Sequence, residues 1–162
     1  QGSINIYSTI DVYKNLNKRF DYIINDKNKY PGAPSVNSII VKENESFKLS
    51  GKWVNPIKAM HDKIPVTGYR VENIAYMTDI KTINYKSKLK LRNLDVLILS
   101  CLRVESHPSH LNLEEALILI NELKPKKTYL IHISNLMGFH DDVSKNLPDN
   151  VFLAYDNLCI SC

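Results

Sequence analysis

Hydrophobic residues in this chain first alternate with polar ones, then gather into unbroken runs and helical stripes. Alternation predicts half-buried strands, and a 3.6-residue period predicts helices. Ile4 to Tyr7 reads as a short strand. Thr9 to Phe20 reads as a helix with Ile10, Tyr13, Leu16 and Phe20 on one face. Asn25 to Pro34 is polar and contains a Tyr30-Pro31-Gly32 turn. Strands follow at Ser38 to Val41, Ser46 to Leu49, Lys52 to Ala59, Val66 to Val71 and Ile74 to Thr78, the pattern of a β-meander. Asp95 to Ser100 is nearly all apolar, as in a strand buried on both faces. Asn112 to Leu123 predicts a helix with Asn112 as N-cap and a stripe of Leu113, Ala116, Leu117 and Ile120; Pro125 stops it. Thr128 to Ile133 is a further buried strand, and Phe139 to Lys145 a short helix. Val151 to Tyr155 and Leu158 to Ile160 predict a closing hairpin around Asp156-Asn157. The order, strands first and then β-α-β-α-β-β, predicts an α/β fold with helices outside the sheets.

Composition narrows the class. The 162 residues are 44% hydrophobic and 23% charged, enough for a packed core without staples. No internal repeat or linker divides them, so 1–162 is expected as a single domain. No apolar stretch has the length of a membrane helix and no secretory leader opens the chain, so a cytoplasmic protein without membrane partners is expected. A net charge of +4 suits an anionic substrate but gives no strong nucleic-acid signal. The basic run Lys86, Lys88, Lys90 and Arg92 predicts a solvated face. Cys101, Cys159 and Cys162 lack metal-finger spacing. Cys159 and Cys162 form a C-x-x-C with no helix N-terminus beside it, so three reduced thiols are expected.

The histidines carry the candidate chemistry. His61 follows a strand, His107 and His110 lie between a buried strand and a capped helix, and His132 ends an apolar strand. Asp79 directly follows another strand. Strand ends opening into loops are where sheets hold catalytic groups. Taken singly, each has a plainer explanation: His132 as a hydrogen-bonded core residue, Asp79 as a turn former, His61 beside Asp62 as a surface pair, His140 as an exposed helix start. Phosphate loops and G-x-S-x-G elbows are absent.

Taken together, the segments His61–Arg70, Ala75-Tyr76-Met77-Thr78-Asp79, Leu94–Leu99, His107–Leu117, Lys124–Ser134 and Phe152–Asp156 resemble, in order, the C-terminal part of the metallo-β-lactamase superfamily. The phosphoribosyl cyclic phosphodiesterase-like branch is the most similar, with tRNase Z more distant. The resemblance implies an αββα sandwich whose N-terminal half is absent. It implies His61 as ligand of a first metal, Asp79 as a carboxylate bridging two, and His132 as ligand of the second. His110 would be the non-ligand catalytic histidine that protonates the leaving oxygen; Arg103 and His107 would touch substrate. Two divalent ions, zinc or manganese, would lower a bridging water's pKa from about 15.7 toward roughly 7 and hold the phosphoryl oxygens. The function so implied is a metal-dependent phosphodiesterase acting on a small cyclic or aryl phosphodiester through a metal-bound hydroxide, with a homodimer admitted. The alternatives are a tRNase Z-like RNA-processing nuclease and a non-catalytic interaction scaffold.

The pattern departs from the superfamily at one major point. Its His-x-His-x-Asp-His signature is missing, no histidine precedes His61, and the chain opens on Gln1. A fragment of a longer protein is therefore expected. Asn135 stands where relatives often carry a second His, and Asn157 where they carry Gly. Three ligands leave each ion two donors, short of the four that tetrahedral zinc takes. The chain alone is expected to bind metal poorly and to be catalytically silent, the intact parent being the hydrolase.

Overall fold

A computed structural model describes residues 3–25, 27, 29–43 and 45–160. They fold as two compact units that divide at Phe47 and Lys48, where the sequence predicts a single domain. In the first unit, β1 (Ile4–Ser8) pairs in parallel with β2 (Val36–Ile40), from Ile4 opposite Val36 to Ser8 opposite Ile40. Parallel strands need a crossover, and α1 (Ile10–Arg19) with the short α2 (Asp21–Ile24) supplies it. The Tyr30 turn forms as expected: Ala33 N donates to Tyr30 O at 2.9 Å, and Gly32 takes φ 87°. The strand predicted at Ser38 to Val41 is thus β2, paired with β1 and not part of the meander.

The second unit carries the larger sheet, of order β3-β4-β5-β6-β7-β8-β9. Its strands are β3 (Phe47–Leu49), β4 (Lys52–His61), β5 (Ile64–Val71), β6 (Ile74–Met77), β7 (Val96–Ser100), β8 (Lys127–Ile131) and β9 (Val151–Leu153). The turns of the meander fall where the sequence allows a left-handed residue: Ser50-Gly51, Asp62 and Glu72 all have positive φ. β4, β5 and β6 are antiparallel neighbours, whereas β6 through β9 run in parallel. It follows that β4, β6, β7 and β8 all end at the same edge of the sheet.

One face of this sheet is closed and the other is not. Met77, Leu99, Leu130 and Leu153 stand opposite one another across four strands and are buried. They share a core with Ala116, Leu119, Ile120 and Leu123 of α4 (Leu113–Leu123) and with Leu91 and Leu94, which follow α3 (Tyr85–Leu89). The next row, Tyr69, Tyr76, Ile98, Tyr129 and Phe152, lies on the opposite face, with Tyr76 and Phe152 exposed. α4 begins as predicted, with the side chain of Asn112 accepting from Glu115 N at 2.9 Å. Its buried face is rotated toward Leu119 and Leu123, leaving Leu113 and Leu117 half-buried.

Two further expectations are corrected. Leu158 to Ile160 form no strand: Leu158 N returns to Tyr155 O at 3.1 Å and Asn157 takes φ 67°, so the chain turns without a returning partner. The predicted β8 stops at Ile131, because His132 adopts φ 60°. The basic run is solvated as expected, with Lys86, Lys90 and Arg92 exposed and Lys88 half-buried. Most of it lies in or beside α3, Lys88 pairs with Glu122 at 2.5 Å, and Arg70 closes the segment by donating to Lys90 O and Arg92 O at 2.7 Å each. The remaining elements are a 3-10 turn at Asn135–Met137 and α5 (His140–Ser144). Among the described residues no helix is long and apolar enough to cross a membrane. Cys162 lies outside the described residues, so the C-x-x-C has no structural account.

Candidate metal centre

The shared edge of the sheet collects the predicted residues. His61 is the last residue of β4, Asp79 lies two beyond β6, and His107 and His110 lie in the loop after β7. His132 directly follows β8. Backbone hydrogen bonds lock these segments together. Met60 N donates to Thr82 O at 2.9 Å and Lys81 N to Met60 O at 2.7 Å, tying the end of β4 to the segment after Asp79. Leu111 N donates to Ile80 O at 3.0 Å, joining the His110 loop to the same segment. Ser134 N donates to Leu102 O at 2.8 Å, joining the His132 side.

The side chains meet in consequence. His61 Nε2 and His110 Nε2 are 3.1 Å apart, and His132 Nε2 lies 3.3 Å from Asp79 Oδ1. His110 Nδ1 is 3.8 Å from the same carboxylate oxygen, beyond hydrogen-bond reach. The His110 ring also lies 4.9 Å from that of His132 and 5.0 Å from that of His107, centroid to centroid. Asp79 at φ 53° and His132 at φ 60° occupy the left-handed region, sparsely used outside glycine. Such strain persists only where surrounding bonds over-determine the backbone, and it clusters at functional sites.

Two observations fit a cation. Donor atoms of His61, Asp79 and His110 all lie within 4.8 Å of one another. His110 Nδ1 is buried with no hydrogen-bond partner, a costly condition for a polar atom. Imidazole and carboxylate are the donors that divalent transition metals take. Burial lowers the pKa of His110 below the usual histidine value. The imidazoles of His61, His132 and His107 push the same way, while Asp79 opposes them. A neutral imidazole with a free lone pair is a competent ligand or base. The resemblance makes His110 a non-ligand; its geometry offers it as a donor as well.

Arg103 stands apart from this cluster. Its Nε donates to Glu105 O at 3.3 Å and an Nη to Ser106 O at 2.8 Å, so the guanidinium folds back on its own loop just ahead of His107. His107 holds the loop further, its Nδ1 lying 3.3 Å from Ser109 N and Oγ. His140 is outside the cluster, on α5 near Leu153 O. Sequence reasoning missed Lys81 and Glu115, which pair at 2.6 Å between the Asp79 segment and α4. The Asn-x-x-Glu of Asn112 and Glu115 was the available signal.

Comparison with known proteins identifies the fold and the family. A diphosphatase of the PhnP family matches with a TM-score of 0.86 at 30% identity, covering 98% of this chain and 58% of that one. Zinc-bound PqqB from Methylobacterium extorquens has a TM-score of 0.74 at 13% identity (99% and 65% covered), and the short form of human tRNase Z 0.64 at 17% (99% and 68%). A Porphyromonas gingivalis protein named octanoyltransferase is 30% identical over 154 residues, 94% of this chain but 31% of that protein. The chain therefore spans less than two thirds of the diphosphatase and about a third of the curated relative. Residues 1–133 match the family model of the beta-lactamase superfamily domain, and with the sheet and the clustered histidines in place, the chain belongs to that superfamily.

Proposed function

We propose that this chain supplies one side of a metal-dependent phosphodiesterase site acting on a small cyclic or aryl phosphodiester. The observation that carries the reading is the convergence of His61, His110 and His132 around the Asp79 carboxylate at one edge of the sheet. The similarity to the PhnP-family diphosphatase supports phosphoester chemistry in particular. His61, Asp79 and His132 would hold the metal, with Asp79 the central donor. Divalent ions bound there, zinc or manganese, would acidify water and neutralise phosphoryl charge. His110, held beside Asp79, delivers a proton to the departing alkoxide. His107 and Arg103 stand on the adjoining loop as contacts to the phosphodiester, Arg103 first having to leave its backbone acceptors.

Acyl transfer, the activity in the name of the P. gingivalis relative, finds less support. A covalent route needs an activated nucleophile. Cys101, at the end of β7, is buried, and burial pushes its thiol up to about 12.

Two donors per ion leave this side of the site short of a full shell. Bis-p-nitrophenyl phosphate with added zinc or manganese tests the reading. Expected is no turnover by the 162-residue chain alone and turnover when a polypeptide bearing His-x-His-x-Asp-His is supplied. Hydrolysis by the chain alone contradicts the half-site; no hydrolysis in either arm contradicts the phosphodiesterase.

A further inference from the structure

We infer that the Lys81–Glu115 ion pair positions the metal centre, acting on Asp79 and His110 without touching either; this rests on the proposed function above. Lys81 Nζ reaches both Glu115 carboxylate oxygens, at 2.6 and 2.7 Å. Lys81 is only 18% exposed. Its backbone already binds the end of β4 through Met60 O, so one residue touches the segments of His61 and Asp79. Glu115 in turn accepts from Asn112 N at 3.0 Å while Asn112 accepts from Glu115 N. Asn112 lies two residues beyond His110, and its amide donates to Val104 O at 3.1 Å, next to Arg103. The pair therefore closes a ring of bonds through the segments that carry His61, Asp79 and His110.

The ring has something to hold. Asp79 adopts a left-handed backbone, and His110 Nδ1 lies 3.8 Å from its carboxylate with no hydrogen-bond partner. The bond from Leu111 N to Ile80 O ties the two loops next to that gap, and the Lys81–Glu115 pair closes the next link outward. A surface ion pair contributes little to stability, but misplacement by about 1 Å at a reacting centre costs on the order of a hundredfold in rate. Outer groups that orient ligands change affinity or activity about 10- to 100-fold. The role of the pair is therefore geometric.

The variants separate this from mere structure. K81M removes the cation and leaves the helix cap; E115Q keeps an acceptor for Asn112 N–H and removes the anion; K81R preserves a two-pronged partner for the carboxylate. The metal-free 162-residue chain is measured by the imidazole resonances of His61 and His110, with a thermal melt as control. Zinc affinity is then taken by competition with a chromophoric chelator. Expected are shifted His61 and His110 resonances in K81M and E115Q, no further shift in the double variant, near-parent resonances in K81R, and zinc affinity about tenfold weaker in K81M. Parent-like resonances in a folded K81M overturn the inference, as do losses that add in the double variant. If K81M does not fold, E115Q decides in its place. A parent chain that takes up no zinc contradicts the metal centre itself, and the resonances still decide the positioning role.

Discussion

At the scale of single residues, the centre is set by lone pairs and strain. His110 is half-buried beside three other imidazoles, which with burial lower its pKa, while Asp79 opposes them by favouring the imidazolium that can give up a proton. The role proposed for it is proton delivery. His110→Ala in the complemented protein should lower turnover of bis-p-nitrophenyl phosphate by about 10²–10⁴-fold and leave bound metal unchanged by elemental analysis. Loss of metal would reassign His110 as a ligand, which its distance from His61 and Asp79 permits. Cys101 is the contrasting case: buried at the end of its strand, with the thiol raised to about 12, it is inert. A thiol reagent at pH 8 should modify exposed Cys159 in the native chain and Cys101 only after unfolding; rapid native labelling of Cys101 would contradict its burial.

At the scale of elements, caps and close approaches fix the loops. Asn112→Ala removes the cap of α4 and the bond to Val104 O, and should cost about 1–2 kcal/mol in urea unfolding. Gly68 admits no side chain, since a Cβ there would lie 2.3 Å from Met77 Sδ and 2.8 Å from Tyr76 O. Gly68→Ala should destabilise by about 1–3 kcal/mol on the same measurement, and a neutral result would mean that β5 and β6 can part. Partial burial by itself would raise the Glu115 carboxyl. Hydrogen bonds from Lys81 and Asn112 N–H, with the Lys81 charge, outweigh it and bring the pKa below the usual glutamate value. A depressed folded-state pKa contributes stability above the unfolded value of about 4.3, lost as pH falls through the folded value. K81M should therefore shift acid unfolding, followed by circular dichroism, to higher pH. An unchanged acid limb would mean the ion pair is not populated.

These elements were largely legible in the sequence because their signals are local. The run Asp95 to Ser100, the Asn112 cap and the Tyr30-Pro31-Gly32 turn each declare a backbone state within a few residues. The misses have one cause: partners distant in sequence. Nothing near Val36 says that it pairs with Ile4. Nothing at His132 announces a left-handed backbone, and nothing at Leu158 shows that it lacks a strand to join.

At the scale of the molecule, the site follows from strand direction. Because β4 and β6 flank an antiparallel β5 and β6 through β8 are parallel, His61, Asp79, His110 and His132 are delivered to one edge from positions spread over 72 residues. No spacing rule exposes this, so the cluster was legible only through resemblance to a family. The turn of Arg103 back onto Glu105 O and Ser106 O depends on this loop alone and has no signal in the sequence. The most direct test is a crystal of the chain soaked at high zinc and measured at the zinc absorption edge. The account predicts anomalous density within bonding distance of the Asp79 carboxylate, with His61 or His132 among its ligands. Zinc bound only elsewhere, with Asp79 left facing solvent, would contradict it.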